Sequence, residues 1–296
     1  MAYQTGRTIV VGVDGSDSAL AAVRWAATEA ARWRVPLWLV NACPWPEHHF
    51  GQVTLGLDAR TVFVRLAREQ LETAASVATE AAPGIEVAKQ VIVSYPIPVL
   101  VAESKRARLV VIGDRGLGGV TGLLVGSVAV GVAARGACPV VVVRGEPPVA
   151  LDSPLPVVVG VDGTERSEAA LAFAFEAASA RAVPLVAVHT WGQERIDPIF
   201  GALLDWDAIE DWQRQVLAER LAGWAEKYPD VTVRRVVSRD APAHRLLAEA
   251  EHAQLVVVGS HGRGGLAGLV LGSVSHSLLH HAPCPVAVVR PDGDQV

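Results

Sequence analysis

LVVIGDRGLGGVTGLLVGSVAVG (Leu109–Gly131) returns as LVVVGSHGRGGLAGLVLGSVSHS (Leu255–Ser277), 146 residues further along the chain and without an internal gap. Each copy contains an apolar run, the pattern GxxG, nine residues, and then Gly-Ser at the start of a predicted helix. Glycines let backbone amides approach a ligand closely, and the N-terminus of a helix favours anions. The repeated stretch therefore predicts two phosphate sites, one in each copy.

The duplication covers nearly the whole chain. VGVDGS (Val11–Ser16) matches VGVDGT (Val159–Thr164), and ACPVVVVR (Ala137–Arg144) matches PCPVAVVR (Pro283–Arg290). Between the copies lies a segment rich in proline and without periodicity, which is typical of a linker. We predict two domains, residues 1–145 and 157–296, joined by a linker at residues 146–156.

Valine-rich runs alternate with alanine-rich helical stretches in the same order in both halves. Apolar strands separated by helices predict a parallel sheet that is covered on both faces. The predicted fold class is α/β, with two tandem, doubly wound, Rossmann-like domains of five parallel strands each, in the order 3-2-1-4-5. The predicted strands are Thr8–Val13, Leu37–Ala42, Glu86–Val93, Leu109–Gly113 and Val140–Arg144, then Val157–Val161, Leu185–Thr190, Val231–Val237, Leu255–Gly259 and Val286–Arg290.

Composition limits the class of protein. The net charge is -5 and the chain has no basic run, which argues against nonspecific nucleic-acid binding. The N-terminus lacks the pattern of a signal peptide, and three cysteines do not form a disulfide framework, so we expect a cytoplasmic protein. The uncharged stretch Leu117–Ala134 is near the lower length for a membrane span, but its many glycines and the charged matching copy favour a loop and a buried helix.

The loops after strands one and four carry the most informative residues. In a sheet of this order, those two strands flank the point where strand order reverses, and ligands bind beyond their carboxyl ends. Asp14-Gly15-Ser16 and the loop from Gly113 lie there in the first half, and Asp162-Gly163-Thr164 and the loop from Gly259 lie there in the second. We therefore expect each aspartate to lie opposite a glycine loop.

Two familiar phosphate motifs are excluded. The chain contains no GxxxxGK followed by Ser or Thr, and no GxGxxG follows the first strand of either half. A flavin-binding sheet is also disfavoured, because its phosphate loop would follow strand one. The sequence predicts a different kind of nucleotide fold.

The glycine pattern, the VGVDGS strand and the terminal CPVVVV strand together resemble the universal stress protein family in its ATP-binding branch. Because both halves fit, the chain is similar to the tandem two-domain members found in mycobacteria and other actinobacteria. The resemblance implies ATP as ligand, with Mg²⁺ left open. No paired carboxylates, nucleophile with a base, or metal cluster repeats in both halves, so we predict a regulatory or stress-response role with slow or no hydrolysis. The resemblance also implies a homodimer and a pairing of domains through their last strands, Val140–Arg144 and Val286–Arg290.

The resemblance also implies which residues hold the nucleotide. The adenosine part would be held by the aspartate after the first strand and by the end of the second strand, which gives Asp14 with Ala42 and Asp162 with Thr190. The glycine loop and the Gly-Ser pair would hold ribose and phosphates. Those positions are Gly113, Gly116, Gly126 and Ser127 in the first half, and Gly259, Gly262, Gly272 and Ser273 in the second.

The two copies differ at two positions within this pattern. Asp114 follows the first glycine where the second copy has Ser260, and Ala129 stands where the second copy has Ser275. A carboxylate beside phosphates is unfavourable unless a cation intervenes, and each lost hydrogen bond to a charged group is worth about 1.5 to 3 kcal/mol. We therefore include Ser275 among the candidate ligands and predict that the second half binds ATP more tightly.

Plainer interpretations stay open at this point. Asp14 and Asp162 could only stabilise a turn, and Ser127 and Ser273 could only be helix N-caps. Arg115, Arg263 and His261 are the candidates for assisting hydrolysis, so an ATP-hydrolysing or nucleotidyl-transferring enzyme is one alternative function. A dimerisation module with degenerate nucleotide sites is another.

Overall fold

A computed structural model describes residues 8–44, 59–117, 125–144, 153–191, 204–262 and 271–291. These residues fall into two compact units, 8–144 and 153–291. The predicted linker at residues 146–156 lies largely outside the described residues, so its bounds stay a prediction.

The first unit alternates strands and helices throughout its described length. Valine and isoleucine fill the strands because branched side chains suit an extended backbone, and alanine fills the buried faces of the helices. The elements are β1 (Ile9–Gly12), α1 (Asp17–Trp33), β2 (Leu37–Ala42), α2 (Ala59–Ala81), β3 (Val87–Ile92), α3 (Pro96–Ser104), β4 (Leu109–Gly113), α4 (Ser127–Arg135) and β5 (Val140–Val143).

The five strands are parallel and follow the predicted order. β1 pairs with β2 on one side and with β4 on the other, so that Ile9 lies opposite both Leu37 and Leu109. The order β3-β2-β1-β4-β5 reverses direction between β1 and β4. The predicted switch point therefore lies where the Asp14 turn and the glycine loop both leave the sheet.

The second unit repeats this plan. Its elements are β6 (Val157–Val161), α5 (Glu168–Arg181), β7 (Leu185–Thr190), α6 (Trp206–Lys227), β8 (Val233–Ser238), α7 (Pro242–Ala250), β9 (Leu255–Gly259), α8 (Ser273–His281) and β10 (Val286–Val289). Strand order within the unit is β8-β7-β6-β9-β10, with β6 between β7 and β9. The fold class predicted for each half is confirmed.

A few element bounds differ from the predicted ones. The predicted strand Val231–Val237 starts two residues later, at Val233, because the backbone N–H of Val231 still donates to the Tyr228 carbonyl before the strand. The sequence predicts a helix near Glu165–Arg181, and the structure has a short 3-10 turn, Glu165–Ser167, before α5. The sequence also predicts a helix at Pro98–Arg106, but α3 starts at Pro96, because proline fits the first turn of a helix, where its missing N–H has no partner to lose.

The strands next to the switch point are buried on both faces. β4 and β9 are fully buried except for their last residues, Gly113 and Gly259. Phe175 and Leu171 of α5 are completely buried, and the Phe175 ring stacks with Trp224 and Tyr228 at the end of α6. The interior therefore holds the carboxyl ends of the strands rigidly, which positions the loops that follow them.

The three cysteines are free thiols in the structure. Burial raises the pKa of the Cys138 and Cys284 thiols to about 12, and it also raises the pKa of Cys43. A thiol whose pKa lies this high carries almost no thiolate at neutral pH. These cysteines therefore act as small apolar side chains, as the sequence predicts.

No helix within the described residues is both long enough and apolar enough to cross a membrane. The uncharged stretch Leu117–Ala134 lies partly outside the described residues, and its later part belongs to the nine-residue helix α4.

Candidate functional site

In the first unit, Asp14 connects the turn after β1 to the loop after β4. Its Oδ1 accepts hydrogen bonds from the backbone N–H of Ser16 (3.0 Å) and from the Ser16 hydroxyl (2.6 Å). Its Oδ2 accepts from the backbone N–H of Leu117 in the glycine loop (3.0 Å). Gly15 has φ +88, a conformation that favours glycine and turns the chain sharply after Asp14. The aspartate and the glycine loop therefore lie together, as the strand order predicts.

In the second unit, Asp162 builds a similar turn with more donors. Its Oδ1 accepts from the Thr164 N–H (2.8 Å), the Thr164 hydroxyl (2.7 Å) and the Ser167 hydroxyl (2.6 Å). In the described part of the glycine loop, a Cβ built on Gly262 would lie 3.8 Å from Asp162 Oδ2. Both aspartates therefore stabilise their turns, and both turn their carboxylates towards the glycine loop.

Each glycine loop is closed at its base by one backbone hydrogen bond. Gly126 N–H donates to the Asp114 carbonyl (2.7 Å), and Gly272 N–H donates to the Ser260 carbonyl (2.8 Å). The helices α4 and α8 begin directly after these glycines, at Ser127 and Ser273. The end of the loop and the start of the helix are thus fixed next to the end of the strand.

The N-caps of α4 and α8 are Gly126 and Gly272, and neither helix has a side-chain cap. The alternative that Ser127 and Ser273 are N-caps is therefore wrong: they are the first helical residues, and their side chains are exposed. The first amides of a helix have no partner within the helix and need an acceptor. A glycine cap leaves them accessible to an anion, which suits phosphate.

The Asp114 side chain is 2% exposed and lies beneath the first loop. Its Oδ1 accepts a hydrogen bond from the Ser18 hydroxyl at 2.6 Å. Its Oδ2 lies 3.6 Å from Arg115 Nε and 3.9 Å from Arg144 Nε. The guanidinium groups of Arg115 and Arg144 near the first loop therefore already lie close to a buried carboxylate.

The same place in the second unit carries no acid among the described residues. Ser260 is fully buried, and its hydroxyl lies 3.2 Å from His261 Nδ1. The Ser275 hydroxyl donates to the carbonyls of Gly272 (2.9 Å) and Ser260 (3.2 Å), so it connects the loop to the helix rather than facing solvent. Arg290, which corresponds to Arg144, has a buried Nε without a hydrogen-bond partner. This loop is therefore more positive than the first.

Ala42 and Thr190 end β2 and β7, where they pair with Ile92 and Ser238 of the neighbouring strands. These carboxyl ends lie next to the ends of β1 and β6. The structure thus brings every described candidate residue of a unit to the same edge of its sheet.

Sequence reasoning missed a polar pair that supports each turn. In the first unit, Asn41 Nδ2 donates to Gln70 Oε1 at 2.8 Å. In the second, His189 is completely buried, with Nδ1 2.8 Å from the Val161 carbonyl and Nε2 2.8 Å from Gln213 Oε1. One polar residue at the matching position of two apolar strands is the signal that could have revealed these pairs.

The structure describes two of the three residues that are candidates for assisting hydrolysis. Arg115 has a 60% exposed side chain next to Asp114, and His261 contacts the Ser260 hydroxyl. Arg263 lies outside the described residues. Throughout the described ranges, no group of three or more His, Cys, Asp or Glu side chains is placed to hold a metal ion.

Comparison with known proteins identifies the family. The sequence profile of the universal stress protein family matches residues 6–144 and 155–290, which are the two units. The chain belongs to the universal stress protein family. The family assignment made from the repeated glycine pattern is thus confirmed in both halves.

Relatives of known name and structure agree with this assignment. A universal stress protein of Mycolicibacterium smegmatis is 42% identical over 288 residues, which cover 96% of this chain and 97% of that one. A universal stress protein of Mycobacterium tuberculosis is 42% identical over 295 residues, covering 95% and 96%. The crystal structure of a universal stress protein from Archaeoglobus fulgidus has a TM-score of 0.69 at 21% identity and covers 99% of both chains, which shows the same fold.

Proposed function

We propose that this universal stress protein binds ATP at a site in each unit and acts as a nucleotide-dependent regulatory or stress-response protein. The observation that carries the proposal is the meeting of three features at each switch point: an aspartate turn, a glycine loop and a helix N-terminus without a side-chain cap. The three features supply an acceptor for the nucleoside, space for close approach and donors for phosphate.

The proposed ligand contacts follow the geometry of each unit. In the first, Asp14 and Ala42 hold the adenosine part, and Gly113, Gly116, Gly126 and Ser127 hold ribose and phosphates. In the second, Asp162 and Thr190 hold the adenosine part. Ribose and phosphates are held there by Gly259, Gly262, Gly272 and Ser273. Ser275 supports the loop from below, because its hydroxyl is donated to backbone carbonyls. Mg²⁺ would accompany ATP as a counterion to the phosphates.

The second site is proposed to be the tighter one. In the first unit, ATP would have to approach the buried charge of Asp114. In the second, a hydroxyl takes the place of that carboxylate, and Arg290 leaves a buried donor without an acceptor. Both differences favour an anionic ligand in the second site.

Hydrolysis is proposed to be slow or absent. Rapid phosphoryl transfer to water needs a group that positions the water and a group that stabilises the terminal phosphate. Asp14 and Asp162 already accept hydrogen bonds within their turns, which makes them poor candidates for activating water. The protein is further proposed to be cytoplasmic and homodimeric, with domains paired through their last strands.

Mass spectrometry of ligand released from gently purified protein tests the proposal. We expect ATP in the wild-type protein and much less in the Asp162→Ala variant. The exposed Asp230, which accepts a hydrogen bond from Ser179 elsewhere on the second unit, gives the control variant Asp230→Ala, which should retain ATP. Wild-type protein that neither carries a nucleotide nor binds added ATP in calorimetry would refute the proposal, and steady ATP turnover that stops in Asp162→Ala would favour an enzyme.

A further inference from the structure

A stack of two indoles and a guanidinium lies beyond the carboxyl edge of the second sheet. The Trp191 and Trp206 ring centroids are 6.1 Å apart with an interplanar angle of 29°. The Arg239 guanidinium lies 3.5 Å from the Trp206 centroid and 5.9 Å from that of Trp191. A cation this close to an indole face is attracted by the negative face of the ring system.

The stack belongs to the edge of the sheet that carries the proposed nucleotide site. Trp191 directly follows Thr190 at the end of β7. The backbone N–H of Trp191 donates to the Ser238 carbonyl at the end of β8. Arg239 follows Ser238, and Trp206 is the first residue of α6. The three side chains thus come from the segments beside the strand end that is proposed to hold the nucleoside.

Among the residues described in the first unit, there is no equivalent of this stack. The pairs Asn41–Gln70 and His189–Gln213 fix the correspondence of the two units, which places Cys43 at the position of Trp191, Phe63 at that of Trp206 and Val93 at that of Arg239. These residues offer one ring and no cation. The stack is therefore a property of the second unit that the duplication does not explain.

The three side chains of the stack differ in exposure. Trp191 is 6% exposed, Trp206 is half-buried, and Arg239 is exposed on the outside. The Trp191 indole N–H is buried without a hydrogen-bond partner, which is unfavourable for a donor away from water. Packing alone accounts for a buried tryptophan but not for an unpartnered donor beneath an exposed cation.

We propose that Trp191, Trp206 and Arg239 form a base-recognition wall of the second site, which selects a purine nucleotide over a pyrimidine nucleotide. This inference rests on the proposed nucleotide function. The π faces and the guanidinium stack against the base, and the larger purine ring gains more from stacking than a pyrimidine does. The indole N–H of Trp191 is a donor for a ring nitrogen or a carbonyl oxygen of the base.

Calorimetric titration of the full-length chain with ATP and, separately, with CTP tests the wall. The variants are Arg239→Ala and Trp206→Ala, and the control is Trp212→Ala, which removes a 61% exposed tryptophan from the same helix. We expect ATP affinity at the tighter site to fall about tenfold in both wall variants, as is usual for the loss of one stacking contact, and CTP affinity to fall less, so that the ratio of ATP to CTP affinity decreases. The control should keep the wild-type ratio.

Each result of the titrations either supports or overturns the base-recognition wall. Because Arg239 is exposed, Arg239→Ala should fold even if Trp206→Ala does not, so it is decisive alone. Wall variants that keep the wild-type ratio, or that lower ATP and CTP affinity equally, would overturn the base-recognition wall and leave nucleotide binding intact. Equal affinity of the wild-type chain for ATP and CTP would do the same, whereas a wild-type chain that binds neither would refute the proposed function itself.

Discussion

The glycine loops of the two units share one motif but differ in what lies beneath and beside them. The first loop rests on a buried carboxylate, Asp114, and donates an amide to Asp14. The second rests on Ser260, and its Gly262 remains at van der Waals distance from Asp162. Among the described residues, the first loop thus has a buried carboxylate where the second has a hydroxyl. A conserved backbone pattern therefore does not by itself make two sites equivalent, because the neighbouring charges differ.

The largest expected difference is between the two turn aspartates. Asp162→Ala should lower the ATP affinity of the second site about 100-fold, because it removes two or more charge-assisted hydrogen bonds, and each is worth about 1.5 kcal/mol. Asp14→Ala should lower the affinity of the first site only about tenfold, because the buried Asp114 carboxylate already weakens ATP binding there. Calorimetry with a two-site fit measures both, and equal losses would remove the proposed asymmetry.

The first glycine of the motif should differ in its tolerance of substitution. A Cβ on Gly113 would lie 2.7 Å from the backbone carbonyl of Ser18, whereas a Cβ on Gly259 would meet the His261 carbonyl at 3.2 Å. We expect Gly113→Ala to destabilise the protein by about 1 to 3 kcal/mol through overpacking, and Gly259→Ala to cost less. Denaturant unfolding measures the difference.

The opposite ranking in unfolding experiments would show that the backbone around Ser18 can shift. The expected ranking also affects the choice of binding variants. Loss of affinity in Gly113→Ala would report damaged packing as well as lost nucleotide contacts, so the aspartates compare the sites better.

Removal of the buried charge should make the first site more like the second. Asp114→Asn keeps the size of the side chain and a polar partner for Ser18, but it removes a negative charge from beneath the phosphates. We expect the ATP affinity of the first site to rise about tenfold, which corresponds to about 1.4 kcal/mol. Asp17→Asn removes an exposed acid from the first turn of α1 and is the control for a general change of charge. An unchanged or weaker first site in Asp114→Asn would show that Arg115 and Arg144 already neutralise the carboxylate.

The smallest expected effect concerns the hydroxyl that connects the second loop to its helix. Ser275→Ala removes the donor to the Gly272 and Ser260 carbonyls and should reduce stability by about 1 kcal/mol. The reciprocal change, Ala129→Ser, places a hydroxyl at the buried matching position of the first unit. Thermal unfolding of both variants measures the change in stability relative to the wild-type protein. A Ser275→Ala protein as stable as wild type would assign the difference between the loops to Asp114 alone.

Much of the fold follows from periodicity and repetition in the sequence. Short valine runs separated by alanine-rich stretches predict a parallel sheet, and the two halves support each other because the same order appears twice. The positions of Asp14 and Asp162 relative to the glycine loops also follow, since strand order decides which loops are neighbours. The bounds of β8 and α3 are predicted less accurately, because residues just outside these elements, such as Val231 and Tyr95, have strand-like or neutral propensities.

The contacts that distinguish the two sites could not be predicted. From the sequence alone, Asp114 is a loop residue next to a predicted phosphate site. Only the packed structure shows that it is buried against Ser18, which is 96 positions away in the chain. The stack of Trp191, Trp206 and Arg239 joins three separate segments, and the sequence favours simple packing for its tryptophans. Such contacts depend on side-chain directions at the ends of different strands, which local patterns do not encode.

The buried carboxylate of Asp114 also bears on how the protein responds to ligand concentration. One site fills from a tenth to nine tenths over roughly two decades of free ligand. Two sites whose affinities differ tenfold need about three decades of free ligand to go from a tenth of the tighter site to nine tenths of the weaker one, and the weaker site empties first as the ligand falls. A single acidic residue beneath one loop would thus give a duplicated chain a graded response, in which a half-filled molecule is a distinct state.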